Sequence, residues 1–145
     1  MTTKITIEFD VVPTDSNLPL ALTVVLDGES VWQNNAVTET CKVSFTVDDA
    51  EGKHVLRWHV SGKLPSYTKI DADGNIVSDS LLKIENFIID DIDISNLIYV
   101  VATYTHDCNG TAEMKTYKMY EELGCNGVAE LKFTTPLYLW LLESM

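Results

Sequence analysis

Four groups of residues in this chain have types and spacings that could do chemistry. Asp71, Asp73 and Asn75, in the run Asp71-Ala72-Asp73-Gly74-Asn75, with Asp79 further on, place three or four oxygen donors on one loop. Calcium, a hard cation, takes carboxylate and carbonyl oxygens in such numbers. The run is not an EF-hand loop, because its glycine stands at the fourth place and no glutamate closes it at the twelfth. Turn chemistry favours the simpler reading, a solvated hairpin tip. Asp90-Asp91-Ile92-Asp93 is a second acidic cluster. Alternation along a strand would set Asp91 and Asp93 on one face, where like charges repel unless a cation or a basic partner separates them.

His106-Asp107-Cys108 has the residue types of a nucleophile and base pair. There is, however, no glycine elbow around a serine and no third orienting group at a recognisable spacing. No catalytic residue is therefore assigned, and a non-enzymatic protein is expected. His54 and His59 fall on opposite faces of one predicted strand and cannot share a metal. Tyr117 and Tyr120 sit in a polar stretch, which makes them the aromatic residues most suited to exposure and to stacking against the flat apolar face of a sugar. Trp58, on an apolar strand face, is assigned to the core.

The elements that must position these groups are mostly strands. Ile5 to Val11 alternates apolar and polar residues, as do Cys41 to Val47 and His54 to Val60. Leu20 to Trp32 reads as a hairpin about Asp27-Gly28, and Asp73-Gly74-Asn75 marks a second reversal. The apolar run Leu81 to Ile89 is expected to be a central strand around which the chain is organised. Leu97 to Thr105 and Val128 to Thr134 are also read as strands, and Thr111 to Glu122 is the one segment with helical potential. The expected fold is all-β: a single antiparallel β-sandwich domain over residues 1–145, jelly-roll-like, with about eight strands.

The tail is unusual. Leu137, Tyr138, Leu139, Trp140, Leu141 and Leu142 are consecutively apolar. As a strand, such a segment needs cover on both faces. It either inserts between the sheets or docks on a neighbouring subunit as a partner contact.

Composition limits the function classes. At 145 residues the chain can bury one core without disulfides or metal. Its hydrophobic fraction of 46% excludes a disordered chain, and no apolar run approaches the ~20 residues of a membrane span. Net charge is −12, with a pI near 4.4. Such a charge repels phosphate backbones and anionic bilayers, so neither nucleic acid nor membrane is an expected partner. Cys41, Cys108 and Cys125 are odd in number and lack CxxC spacing, and free thiols are expected. A Cys108–Cys125 pairing is the alternative. The alternating N-terminus carries no visible secretion signal, so synthesis in a cytoplasm is expected.

A resemblance adds to this reading. Ser61-Gly62-Lys63, Thr68-Lys69-Ile70-Asp71, Gly74-Asn75-Ile76-Val77, the Ile84 to Ile94 run, Asn126-Gly127, Phe133-Thr134-Thr135-Pro136 and Trp140-Leu141-Leu142 occur in one order. Together they resemble small uncharacterised proteins of tailed bacteriophages, T4-like and marine or cyanobacterial, over roughly Gly62 to the C-terminus. The strand plan is also similar to carbohydrate-binding modules of the β-sandwich type.

The phage resemblance implies a non-enzymatic virion protein, made in the host cytoplasm, that decorates a capsid or serves a tail or neck through contacts with other virion proteins or with itself. The alternative is a carbohydrate-binding-module-like domain for attachment to glycans. Calcium on Asp71, Asp73 and Asn75 would be its one candidate cofactor, and Tyr117 and Tyr120 its ligand-binding residues.

Overall fold

A computed structural model describes residues 4–144. The alternating segments form the long strands β1 (Lys4–Pro13), β2 (Leu20–Leu26), β3 (Glu29–Val37), β4 (Cys41–Asp48) and β5 (Gly52–Ser61). A 3-10 turn at Pro65–Tyr67 leads into the short hairpin β6 (Lys69–Ile70) and β7 (Ile76–Ser78). Then follow β8 (Leu82–Ile89), β9 (Ile92–Asp93), α1 (Ser95–Val101), β10 (Thr103–His106), β11 (Lys115–Lys118), β12 (Glu122–Leu123), β13 (Gly127–Thr135) and α2 (Leu137–Ser144).

All strand pairs are antiparallel. One large sheet runs β12-β8-β1-β4 with β9 also on β8, a second runs β11-β10-β13-β5-β2-β3, and β6-β7 is a separate two-stranded sheet. The two large sheets pack as a sandwich, as the period-two pattern demands, with one face of each strand turned inward. Ile5, Ile7, Phe9 and Val11 of β1, with Leu82, Ile84, Phe87 and Ile89 of β8, face Leu20, Leu22, Val24, Leu56, Trp58, Leu131 and Phe133 of the other sheet. Phe9 and Phe87 stack with ring centroids 5.5 Å apart, and Trp58 meets both edge-on at 5.7 and 5.8 Å.

The expected sandwich is therefore present, with thirteen strands among the described residues where about eight were expected. The surplus is short pairings such as β6, β9 and β12, each only two residues long. Both predicted hairpins form: Asp27 and Gly28 take positive φ between β2 and β3, and Gly74 does so between β6 and β7.

Three elements differ from the expectation. The front of the Leu97–Thr105 strand is helix α1, where Ile94, Ile98 and Ala102 recur at i, i+4 and i+8 and bury together. That helical burial overrides the strand preference of Ile98-Tyr99-Val100-Val101. The Thr111–Glu122 segment is not helical; Lys115–Lys118 pairs with β10 as β11. The apolar tail is neither an inserted nor an added strand but helix α2. It buries Leu137, Trp140 and Leu141 at i, i+3 and i+4, and Trp140 lies edge-on to Phe133 at 6.1 Å. The backbone N–H of Leu137 donates to an Asp49 carboxylate oxygen at 2.9 Å, tying the helix start to the β4–β5 turn. Tyr138, Leu139 and Leu142 are exposed.

The acidic cluster is likewise re-sorted. Asp90 and Asp91 both take positive φ and form the two-residue turn between paired Ile89 and Ile92, so Asp91 and Asp93 do not share a strand face. The carboxylate of Asp93 accepts the Ser95 N–H, and that bond holds it below its usual range.

Trp140 closes one end of the core. Trp140→Ala should lower unfolding free energy by about 3–5 kcal/mol, whereas Leu142→Ala, on the outer side of the same helix, should change it by less than about 0.5 kcal/mol. Denaturant unfolding of the two variants measures both; equal losses would place the helix elsewhere.

Candidate functional site

At the end of the sandwich away from α2, the β5–β8 connection and the β10–β11 hairpin enclose a cleft of roughly 690 Å³. This lies within the size range of small-molecule sites. Leu64, Ile76 and Asp79 form one wall, and Tyr104, His106, Tyr117 and Tyr120 line the other.

Local rules explain the aromatic wall. Tyr104 and His106 are two residues apart on β10 and so share a face, and Tyr117 of β11 stands directly opposite Tyr104. The His106 ring stacks on Tyr117 (centroids 4.7 Å apart, planes 23° apart) and tilts against Tyr104 at 4.6 Å. Tyr104 is the buried end of this ladder. Its hydroxyl donates to the Cys125 carbonyl and accepts the Cys125 N–H at 3.0 Å, and burial pushes its pKa well above the usual tyrosine value. Tyr117 and Tyr120 are the accessible end, 39% and 62% exposed. Gly127 pairs with His106, and a Cβ at Gly127 would collide with the Thr105 carbonyl and the His106 side chain, so only glycine lets β13 approach so closely.

Side-chain amides hold the walls together. Asn126 accepts the Lys63 N–H at 2.8 Å and donates to the Lys63 carbonyl at 3.0 Å. Asn109 accepts the Asn126 N–H at 3.0 Å and donates to the Gly124 carbonyl at 3.3 Å. The Lys63 ammonium is buried against the Asp79 carboxylate and the Ser80 carbonyl. Thr68 donates to the same Asp79 oxygen at 2.8 Å.

The His106-Asp107-Cys108 group does not assemble as a nucleophile and base pair. His106 Nδ1 accepts the Cys108 N–H at 3.0 Å, and the Asp107 carboxylate accepts the Gly110 N–H at 2.9 Å. Both side chains serve the turn. Cys108 and Cys125 both line the cleft and are free thiols, as is Cys41. Burial raises the Cys125 pKa.

His54 and His59 lie on opposite faces of β5, as expected. His54 bridges Asp27 at 2.7 Å and Thr135 at 3.0 Å.

Asp71, Asp73 and Asn75 form the exposed β6–β7 tip. Asp71 Oδ1 accepts the N–H groups of Asp73 and Asn75, each at 2.9 Å, so that oxygen already closes the turn. Among the described residues no three His, Cys, Asp or Glu side chains gather as a metal site.

The structure thus brings Tyr117 and Tyr120 into one cleft and leaves Asp71, Asp73 and Asn75 on a separate tip. Sequence reasoning missed Leu64 and Ile76 as cleft lining, and it took Asp79 as a further oxygen donor of the Asp71–Asn75 loop, whereas the structure pairs Asp79 with Lys63 in the cleft. The one available signal for that lining was the cluster of apolar residues flanking the Asp-Gly turn.

No protein-family model matches the chain, and no curated protein sequence matches it. Two solved structures are similar. One is a selenomethionine form of vCBM60, from work on circular permutation linking two families of calcium-dependent carbohydrate-binding modules. It has a TM-score of 0.48 and 10% identity, over 88% of this chain and 89% of that one. The other is vCBM60 in complex with galactobiose, with a TM-score of 0.43 and 12% identity over 87% and 96%. The bacteriophage resemblance has no counterpart among these matches.

The neutral His106 ring is part of the ladder, because desolvation holds its pKa below 6.5 despite the opposing pull of Asp107. The unfolded chain therefore takes up the proton first. The ring's contribution to stability is complete above pH 6.5 and declines as pH falls through the lower folded value. Melting curves of the protein and of His106→Gln between pH 8 and 5 should show their stability difference shrinking below pH 6.5. A difference that grows there would contradict this.

Proposed function

We propose that this chain is a non-catalytic carbohydrate-binding domain whose ligand lies in the cleft, stacked on Tyr117 and Tyr120. The observation that carries this reading is the ring ladder from buried Tyr104 through His106 to exposed Tyr117, with Tyr120 beside it on the same cleft. Apolar faces of sugar rings pack on such flat surfaces, while polar groups on a cleft wall fix orientation. The inner members are anchored by hydrogen bonds and stacking, so little ordering cost falls on binding.

The reading rests on the cleft and not on calcium at the β6–β7 tip, where Asp71 Oδ1 already closes the turn. Glycan-array binding followed by calorimetry, with calcium and with a chelator, tests it. Tyr117→Ala and Tyr120→Ala should each weaken binding roughly 2- to 10-fold, with equal affinity in calcium and chelator. Binding unchanged in both variants, or absent altogether, overturns the proposal.

One observation favours a second reading, a protein that assembles through its tail, as the expected virion role would require. Tyr138, Leu139 and Leu142 lie at i, i+1 and i+4 of α2 and remain exposed, so one side of the helix is apolar while the other is core. Native mass of the protein against Leu139→Ser/Leu142→Ser tests it. A defined oligomer that the double variant reduces to a folded monomer supports assembly, and a monomer in both cases removes this support.

A further inference from the structure

The cleft wall opposite the tyrosines contains a carboxylate already half-committed to the protein. Asp79 lines the cleft with 23% of its side chain exposed. Its Oδ1 takes both nearby donors, the Lys63 ammonium and the Thr68 hydroxyl. No hydrogen bond among the described residues uses its Oδ2. The backbone on either side is also pinned: Thr14 Oγ1 donates to the Asp79 carbonyl at 3.2 Å and accepts the Leu81 N–H at 2.8 Å. A carboxylate so held keeps acceptor capacity on its second oxygen at little ordering cost.

We infer that Asp79 is the polar anchor of the cleft and that the cleft selects neutral glycans over acidic ones, an inference that rests on the carbohydrate-binding reading above. A sugar ring lying flat on Tyr117 and Tyr120 presents its hydroxyls from the ring edge, and Asp79, lining the same cleft, has an oxygen left to accept one of them. Hydrogen bonds to a charged acceptor are stronger than neutral ones, so this contact fixes orientation where stacking does not.

Charge sets the ligand class. Lys63 neutralises Asp79, and the lining's other charged side chains, Lys118 and Glu122, are one of each sign, so the lining carries no surplus positive charge to hold a uronate or sulfate. The chain as a whole, at −12, repels both from a distance.

The test uses neutral polymers (galactan, xylan and galactomannan) and polygalacturonate as the acidic probe, with the protein, Asp79→Asn and Lys63→Met/Asp79→Asn. The double variant removes both charges and so avoids stranding a buried ammonium, and melting curves check that each variant folds. The protein should bind a neutral polymer and not polygalacturonate. Both variants should lose roughly 10- to 100-fold in neutral affinity. Asp79→Asn, with the Lys63 charge uncovered, should shift its preference toward polygalacturonate, and the double variant should not.

If the protein binds a neutral polymer and the folded double variant binds it equally well, the anchor is overturned while the carbohydrate reading stands. A protein that prefers polygalacturonate overturns the selection for neutral ligands. No binding to any probe by the unmodified protein overturns both.

Discussion

The contact on which this structure depends is the aromatic cluster between its sheets. Phe9 and Phe87 sit on neighbouring strands of one sheet with their rings parallel, and Trp58 of the other sheet meets both edge-on. Rings fit together in few ways, so this cluster fixes sheet separation and relative position more tightly than aliphatic packing does. Trp58 is fully buried, and its indole N–H has no hydrogen-bond partner among the described residues. A position that leaves a polar hydrogen unpaired is occupied for the shape and area of the ring. The two ends of the sandwich are finished separately, by α2 on Phe133 at one and by the cleft at the other.

Much of this was legible because burial on one face of a sheet imposes period two. β1, β4 and β5 are visible as alternation, and Asp-Gly pairs mark two reversals. β8 shows where that rule gives out. Leu82 and Ile84 are buried at even positions and Phe87 and Ile89 at odd ones. The register with β1 shifts between Glu8 and Asp10, which absorbs one extra residue in β8 around Asn86. Asn86 takes positive φ and donates to Asp10 at 2.9 Å. A bulge resets parity, so a run without alternation still turns one face inward. The helices were hidden for another reason: α1 carries Ile98, Val100 and Val101, the first six residues of α2 are all apolar, and in each only contact with distant strands decides which period is used.

The site was half legible. Tyr117 and Tyr120 stand out as aromatic residues in a polar stretch, and the cleft gathers them. Their facing wall comes from a segment some forty residues earlier in the chain, and nothing local ties the two. Lys63 is the plainest case: lysine is among the residues least often buried, and only Asp79, Ser80 and the paired amide of Asn126 make its burial tolerable. Asn126 and Asn109 act over 63 and 17 residues of separation, which no spacing rule anticipates.

The β6–β7 hairpin forms a sheet of its own, and every residue of its two strands is exposed. It rests on the body through Thr68, Asp79 and Thr14 and not through buried apolar area. A two-stranded ribbon so attached opens at a small fraction of the free energy that unfolds the core. Opening of the ribbon moves Ile76, which it carries into the cleft, while Asp79 stays tied to the body through the buried Lys63 ammonium.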